Sequence, residues 1–256
     1  MKILEITITL LVFALAMPLQ AQTVDEILDN YFENTGGLDN WKALEGLKIN
    51  GKVNQQGMEF PINVLQLKDG RQMSSFVFQG KEIKQGVYDG ETLWNTNFMT
   101  MKAEKADAEQ TANFKLNTND FPDSFIDYET KGYTVELIGK ETVDGAETFK
   151  VKLIKEPLTV DGVEKDDVSF YYFDVDNFVP IAVESEITSG QGKGQMSKTT
   201  MSDYQEAGGL YFAYSTTQYV NGNLLWTMNM DNIEINPAVD ENAFAFPEEM
   251  GETEKE

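Results

Sequence analysis

Residues 64–98 read VLQLKDGRQMSSFVFQGKEIKQGVYDGETLWNTNF, and this stretch decides the fold class. Around it, strand-like segments follow one another with only short turns between them, at 58–67, 71–79, 81–88 and 91–95. Two of the turns contain Asp69-Gly70 and Asp89-Gly90, dipeptides that favour tight reversals of the chain. Because such short turns can join only antiparallel strands, the stretch predicts an antiparallel meander.

The same alternation extends on both sides of this stretch. Leu47, Ile49 and Val53 alternate with polar residues ahead of it, which is the period-two pattern of a half-buried strand. Beyond it, further strand candidates follow at 133–137, 149–153, 167–174, 178–188, 196–204, 209–220 and 223–235. Asn221-Gly222 is the clearest hairpin signal among their turns. The chain therefore predicts a mainly β protein with a single large antiparallel sheet of about 11–12 strands.

Two segments break the strand pattern and predict helices. Thr23 can cap a helix that ends at Gly36-Gly37 and whose apolar residues recur at helical spacing, namely Val24, Ile27, Leu28, Tyr31 and Phe32. A second short helical turn is predicted around Trp41. Between about 103 and 128 alanines replace the alternation, which predicts a short helical insert. We expect the N-terminal helix and the insert to cover the sheet, and the stretch up to Pro247 to clip the domain closed.

Composition excludes several classes of chemistry. The chain has 256 residues, with 43 acidic and 20 basic side chains, a formal net charge of −23, and neither cysteine nor histidine. Disulfides, thiolate or imidazole metal sites, cysteine nucleophiles and histidine bases are therefore all excluded. The negative charge repels a phosphate backbone, so nucleic acid is not an expected partner. Anionic membrane surfaces are disfavoured for the same reason.

The two ends of the chain carry separate predictions. Residues 1–21, MKILEITITLLVFALAMPLQA, have the lysine, the short apolar run and the polar end of a secretory signal peptide. We expect cleavage after Ala21, and an uncleaved N-terminal anchor is the alternative. No cysteine follows, so the protein is expected to be exported without a lipid anchor, in the periplasm of a Gram-negative bacterium. Residues 22–247 form one predicted domain, and 248–256 an acidic tail expected to be disordered.

Apolar residues occupy both faces of several strands. Residues 168–173 (VSFYYF) carry aromatic side chains in both phases, whereas Leu224, Trp226, Met228 and Met230 follow one another in a single phase. Two interpretations stay open at this point. The side chains either fill an ordinary core beneath the helices, or line a concave cavity in a curved sheet that holds a hydrophobic ligand.

Several segments resemble the LolA/LolB-like family, which contains the periplasmic lipoprotein carrier and its outer-membrane receptor. The match includes the N-terminal helix TVDEILDNYFENTGG and YDGETLW at 88–94, where the family has a strand, an Asp-Gly turn and a strand entering with Leu-Trp. YYFDVDNFVP at 171–180, Ser202-Asp203-Tyr204 and Ile235-Asn236-Pro237 also look like the family. The resemblance implies an unclosed half-barrel covered by helices, an apolar interior that receives acyl chains, and a non-enzymatic carrier role.

This interpretation names a cavity, a cover and a latch. From strand phase, the expected cavity residues are Phe60, Ile62, Val64, Met73, Phe78, Trp94, Phe170, Tyr172, Trp226 and Met228. The insert at 103–128 is the expected cover, which must move to release a ligand. In the family an arginine on an early strand locks this lid, so Arg71, the only arginine in the chain, is the candidate latch. The alternative for Arg71 is a surface residue beside the Asp69-Gly70 turn.

We therefore expect a carrier for lipid or for the acyl chains of a lipoprotein, with envelope membrane proteins as further candidate partners. No catalytic residue, metal or cofactor is assigned. Asp174, Asp176 and Asn177 suggest calcium, but no glycine or bidentate glutamate follows at the required spacing, so a hairpin turn is favoured. The main alternative function is an envelope scaffold with the same fold and a filled core. A closed barrel for a small molecule comes third, and an enzyme with paired carboxylates fourth.

Overall fold

The computed structural model describes residues 22–247, which contain three α-helices and thirteen strands. The helices are α1 (Val24–Asn34), α2 (Leu38–Lys42) and α3 (Ala108–Asn117). The strands are β1 (Gly46–Gln55), β2 (Met58–Leu67), β3 (Gln72–Phe78), β4 (Lys81–Tyr88), β5 (Leu93–Thr96), β6 (Ala103–Lys105), β7 (Thr134–Val143), β8 (Ala146–Val160), β9 (Val163–Asp174), β10 (Pro180–Glu186), β11 (Met196–Ala207), β12 (Leu210–Val220) and β13 (Asn223–Ile235). The predicted signal peptide and acidic tail lie outside the described residues.

All thirteen strands form one sheet in the order β6-β5-β4-β3-β2-β1-β13-β12-β11-β10-β9-β8-β7. Every neighbouring pair is antiparallel, and β6 and β7 form the two edges. The prediction of a single, unclosed antiparallel sheet is confirmed. The structure has one strand more than the 11–12 predicted. This additional strand is β6, which lies in the segment expected to be helical. Its three residues are too few for a period-two pattern to show in the sequence.

The position of α3 shows that the sheet is curved. Phe114 of α3 packs on Tyr88 of β4, third in the sheet order, with 5.5 Å between ring centroids. Asn113 of the same helix bonds the backbone of Thr159 in β8, twelfth in the order. In a flat sheet these strands would lie about 43 Å apart, whereas a ten-residue helix is about 15 Å long. The sheet therefore folds round into a half-barrel, and α3 bridges its two arms.

A core under α1 and α2 fills part of the inner face, meaning the face of the sheet on which the helices lie. Thr23 and Glu26 form a capping box that starts α1, as each side chain accepts a hydrogen bond from the other's backbone N–H, at 3.2 and 3.0 Å. The predicted helical spacing is confirmed, because α1 buries its apolar side against the sheet. The buried residues of this core include Ile27, Tyr31, Trp41, Leu47, Val151, Leu153, Phe173 and Ile233.

The segment after β13, residues 236–247, packs on the opposite, outer face of the sheet. It covers Leu65, Val87 and Trp94 with Phe244, and these four side chains are buried together. The Trp94 Nε1–H donates a hydrogen bond of 3.0 Å to the Phe244 carbonyl oxygen. The expected closing segment is thus present, and it covers the outer face of the first arm, β1–β6, around Leu65, Val87 and Trp94.

The meander sorts its turns onto two ends of the half-barrel. Because the strands alternate in direction across the sheet, the turns β1–β2, β3–β4, β5–β6, β8–β9, β10–β11 and β12–β13 share one end, called the rim. The rim turns are residues 56–57, 79–80, 97–102, 161–162, 187–195 and 221–222. The base turns, at the opposite end, are 68–71, 89–92, 144–145, 175–179 and 208–209. The end of α1 lies at the base, because the Asn34 side chain donates a 2.9 Å hydrogen bond to the Asn177 carbonyl and the Thr35 carbonyl accepts one of 3.0 Å from the Tyr211 N–H. From there α2 leads into the base end of β1.

Candidate functional site

The inner face of the first arm carries an apolar surface that continues from the α1 and α2 core toward the rim. Val53 of β1 pairs with Phe60 of β2 and with Met228 of β13, so the three side chains share this face. Ile62 of β2 pairs in turn with Phe76 of β3. Met228 is 8% exposed, whereas the other four side chains are half-buried. The surface is therefore apolar and only partly covered.

Three phenylalanine rings form a row on this surface. The ring centroids of Phe60 and Phe76 lie 5.3 Å apart, and those of Phe76 and Phe98 lie 6.0 Å apart. Phe98 lies in the β5–β6 turn and is 53% exposed. The row therefore crosses β2 and β3 and ends at the rim. Rings at these spacings form a continuous apolar strip that an acyl chain can cover.

Six of the ten predicted cavity residues lie on the inner face, and four lie on the outer face. The inner set is Phe60, Ile62, Val64, Phe78, Trp226 and Met228, which follows from the cross-strand pairs. The outer set, Met73, Trp94, Phe170 and Tyr172, does not line the strip. Met73 and Trp94 pack under the C-terminal segment instead.

Phe170 and Tyr172 contact charged residues on the outer face. The ammonium group of Lys150 lies 5.1 and 5.2 Å from the centroids of the two rings. The Tyr172 hydroxyl donates a 2.9 Å hydrogen bond to Glu184. The aromatic side chains of β9 that lie on the inner face are Tyr171 and Phe173. The sequence VSFYYF has aromatic residues in both phases, so alternation alone could not show which phase faces inward.

Sequence reasoning also missed two members of the strip, Phe76 and Phe98. Phe76 is two residues from Phe78, which was assigned to the cavity, so the same alternation would have placed Phe76 on the inner face. Phe98 lies in a turn, where alternation gives no information. Its neighbour Asn97 fixes the turn by accepting hydrogen bonds from the Met99 and Thr100 backbone N–H groups, at 2.8 and 3.1 Å.

Polar contacts at the β8–β9 turn hold α3 across the half-barrel. The Glu109 carboxylate accepts hydrogen bonds from the backbone N–H groups of Asp161 and Gly162, at 3.0 and 2.8 Å. The Asn113 side chain donates to the carbonyl of Thr159 at 2.6 Å and accepts from its N–H at 2.9 Å. No residue of α3 is fully buried. A helix fixed by polar contacts with so little apolar burial can detach at low free-energy cost.

Weakening these contacts tests whether α3 opens. In Asn113→Ala, both bonds to Thr159 are lost, so the amide hydrogens of α3 should exchange several-fold faster, which corresponds to about 1 kcal/mol. Hydrogen exchange read by mass spectrometry measures this. Gln110→Ala, on an exposed position of the same helix, is the matched control and should leave the exchange unchanged. Equal protection in the parent and Asn113→Ala would contradict the opening of α3.

Beyond α3, the insert is anchored to the sheet and to α1. Lys155 of β8 lies 2.8 Å from Asp120 of the insert and 3.0 Å from Asp167 of β9. Burial opposes the charged form of Lys155, but the two carboxylates outweigh it and raise its pKa. Asp123 accepts hydrogen bonds of 2.8 Å from the Tyr31 hydroxyl and from the Phe125 N–H. Burial raises the pKa of the Asp123 carboxyl. These contacts fix the C-terminal end of the insert, while α3 is held more loosely.

The Lys155 cluster gives a stability prediction. Lys155→Met should lower the free energy of unfolding by about 3 kcal/mol, because it leaves two partly buried carboxylates without their counter-charge. Urea denaturation followed by circular dichroism measures this loss. Lys42→Met removes an exposed ion pair to Asp127 and should change the stability by less than about 1 kcal/mol. A loss in Lys155→Met no larger than in this control would show that the cluster does not anchor the insert.

Arg71 holds the C-terminal segment rather than the insert. Its guanidinium donates hydrogen bonds to Asp69 at 2.8 Å and to Glu241 at 2.7 Å, and it lies 5.4 Å from the Phe244 ring centroid. Arg71 is in phase with Met73, so it projects on the outer face, away from α3. The expected latch contact with the lid backbone is therefore replaced by a clamp on residues 236–247.

The Asp174 segment forms a turn and not a cation loop. The Asp174 carboxylate accepts hydrogen bonds from the backbone N–H groups of Asp176 and Asn177, at 3.1 and 2.8 Å, which closes the predicted hairpin turn. Within residues 22–247, no group of three or more acidic side chains is arranged to hold a metal ion. The same residues contain no helix long and apolar enough to cross a membrane.

Comparison with solved structures identifies the fold. No protein-family model matches the sequence, and no curated protein matches it. A LolA superfamily protein from Nitrosomonas europaea superposes with a TM-score of 0.52 at 12% identity, covering 89% of this chain and 99% of that one. The chain has a LolA-like fold. A DUF1329 family protein from Desulfovibrio piger superposes equally well, with a TM-score of 0.52 at 14% identity over 88% and 98% of the two chains.

A third neighbour shares this LolA-like fold. It is a domain from Vibrio parahaemolyticus assigned to outer-membrane lipoprotein sorting, with a TM-score of 0.50 at 11% identity over 86% of this chain and 95% of that one. At such low identities the superpositions establish only the shared half-barrel fold. Any ligand must be inferred from the residues of this chain. The resemblance stated from YDGETLW is thus confirmed at the level of the fold.

Proposed function

We propose that this LolA-like protein is a non-enzymatic carrier that holds a hydrophobic ligand, either lipid or the acyl chains of a lipoprotein, on the inner face of its half-barrel. The observation that carries the proposal is the partly exposed apolar strip formed by Phe60, Phe76 and Phe98. The location that fits this role is the periplasm, with export directed by residues 1–21.

Affinity in this proposal comes from removing the ligand from water. Each buried CH2 group contributes about 0.8 kcal/mol, so a single long acyl chain supplies useful affinity without polar recognition. The half-buried residues along β1–β3 leave apolar area that such a chain can cover. Release requires the cover to move, and α3, held by Glu109 and Asn113, is the element suited to this.

The direct test is ligand binding by the purified protein in solution. Native mass spectrometry, with lipid extraction, should detect a co-purifying acylated species when the protein is prepared without detergent. A fluorescent fatty-acid probe should then bind to the delipidated protein at micromolar concentration. If no ligand co-purifies and the probe does not bind, the strip is closed, and the same fold serves instead as an envelope scaffold.

A further inference from the structure

Exposed apolar side chains are concentrated at the rim. Nine of the twelve exposed large apolar residues within residues 22–247 lie in the six rim turns or within three residues of them. They are Met58, Val77, Phe78, Phe98, Met99, Val163, Met196, Leu224 and Leu225. Met99 is 94% exposed, and each of the six turns contributes at least one such residue. Single exposed apolar residues scattered over a protein need no explanation, but nine gathered at one end of the molecule point to contact with another apolar phase.

Charge is distributed in the opposite way. The base turns carry five acidic residues, Asp69, Asp89, Glu91, Asp144 and Asp176, with Lys68 and Arg71. The rim turns carry only Lys102 and an ion pair between Lys193 and Asp161. The net charge of the chain is −23, but the single carboxylate in the rim turns is paired with a lysine. Charge in these turns therefore does not oppose the approach of the rim to a membrane.

The arrangement of the rim turns favours a flat partner. The apolar residues are spread singly or in pairs over six separate turns along the curved edge of the sheet. A protein interface centres on a compact buried patch, whereas a bilayer surface can meet all of these turns at once. Each of four glutamates lies two residues beyond a rim turn, and together they limit insertion to the depth of the turns, namely Glu59, Glu82, Glu104 and Glu164.

We propose that the rim is a membrane-docking surface, on which the half-barrel stands with its six turns in the interface of a zwitterionic lipid bilayer. Phe98 joins this surface to the inner face, since it is exposed at the rim and its ring lies 6.0 Å from that of Phe76. Docking itself does not depend on the carrier function. If both hold, the docked rim opens the apolar strip directly onto the lipid phase.

The test is co-sedimentation of the purified protein with phosphatidylcholine vesicles. Phe98→Ser/Met99→Ser and, at two other rim turns, Met58→Ser/Met196→Ser should each weaken vesicle binding at least about tenfold, since each removes two side chains that lie in or next to a rim turn. Ile138→Ser/Tyr211→Ser removes two apolar residues that are 52% and 43% exposed, on edge strand β7 and at the base, and should bind like the parent. All variants share one N-terminus, so any contribution of residues 1–21 cancels.

Three outcomes would overturn the proposal. These are no vesicle binding by the parent, an equal loss in the control variant, or binding only to vesicles that contain envelope proteins, which would assign the rim to a protein partner. Circular dichroism confirms that each variant is folded. The fatty-acid probe, measured without vesicles, separates this test from that of the carrier function. Vesicle binding by a protein that does not bind the probe would support docking and refute only the carrier.

Discussion

The Trp94→Ala variant is expected to lose about 3–5 kcal/mol of unfolding free energy, because it creates a large cavity in a buried cluster. Trp94 is 3% exposed and packs with Val87, Leu65 and Phe244 on the outer face. The substitution also removes the hydrogen bond from its indole to the Phe244 carbonyl, which helps hold residues 236–247 on the sheet. Urea denaturation measures the loss, and limited proteolysis should show earlier cleavage of the C-terminal segment.

The matched control is Trp226→Ala, the same substitution on the inner face. Trp226 is half-buried and pairs with Gln218 across β12 and β13, so less contact area is lost. We expect its cost to be less than half that of Trp94→Ala. Equal losses in the two variants would show that residues 236–247 do not form a second core with the sheet.

The Phe76→Glu variant is expected to lose binding of the fatty-acid probe by at least about tenfold. A bound acyl chain would remove water from a carboxylate in the middle of the strip. This desolvation costs more than 1.4 kcal/mol, the free energy that corresponds to a tenfold change in affinity. Because Phe76 is only half-buried, the fold should be retained. Fluorescence titration measures binding, and circular dichroism checks the fold.

Val77→Glu provides the control for this prediction, since it introduces the same charge one residue further along β3. Val77 is 54% exposed and in the phase of the outer face, so probe binding should be unchanged. If both glutamate variants bind like the parent, the inner strip is not the ligand site. If both lose binding equally, the effect comes from the β3–β4 hairpin as a whole.

Local pattern determined most of the secondary structure. The bounds predicted for β2, β4 and β13, namely 58–67, 81–88 and 223–235, are those of the structure. Alternation and Asp-Gly or Asn-Gly turns are properties of a few consecutive residues, so they can be interpreted without knowing what lies elsewhere in the fold. The same locality explains why β6 was missed, since its three residues hold too little pattern.

The sequence by itself therefore determined a single antiparallel meander with a helix ahead of it and a helical insert. It did not determine which residues share a face in every strand, since Met73 and Phe78 of β3, both expected in the cavity, lie on opposite faces. Only the tertiary structure decided which of the two faces is inner. Trp94 lies on the outer face because Phe244, 150 residues later, covers it there, and Arg71 is turned outward to Glu241, 170 residues away. Period-two alternation divides a strand into two sets of side chains on opposite faces. It does not show which set faces inward, because that depends on what packs against each face.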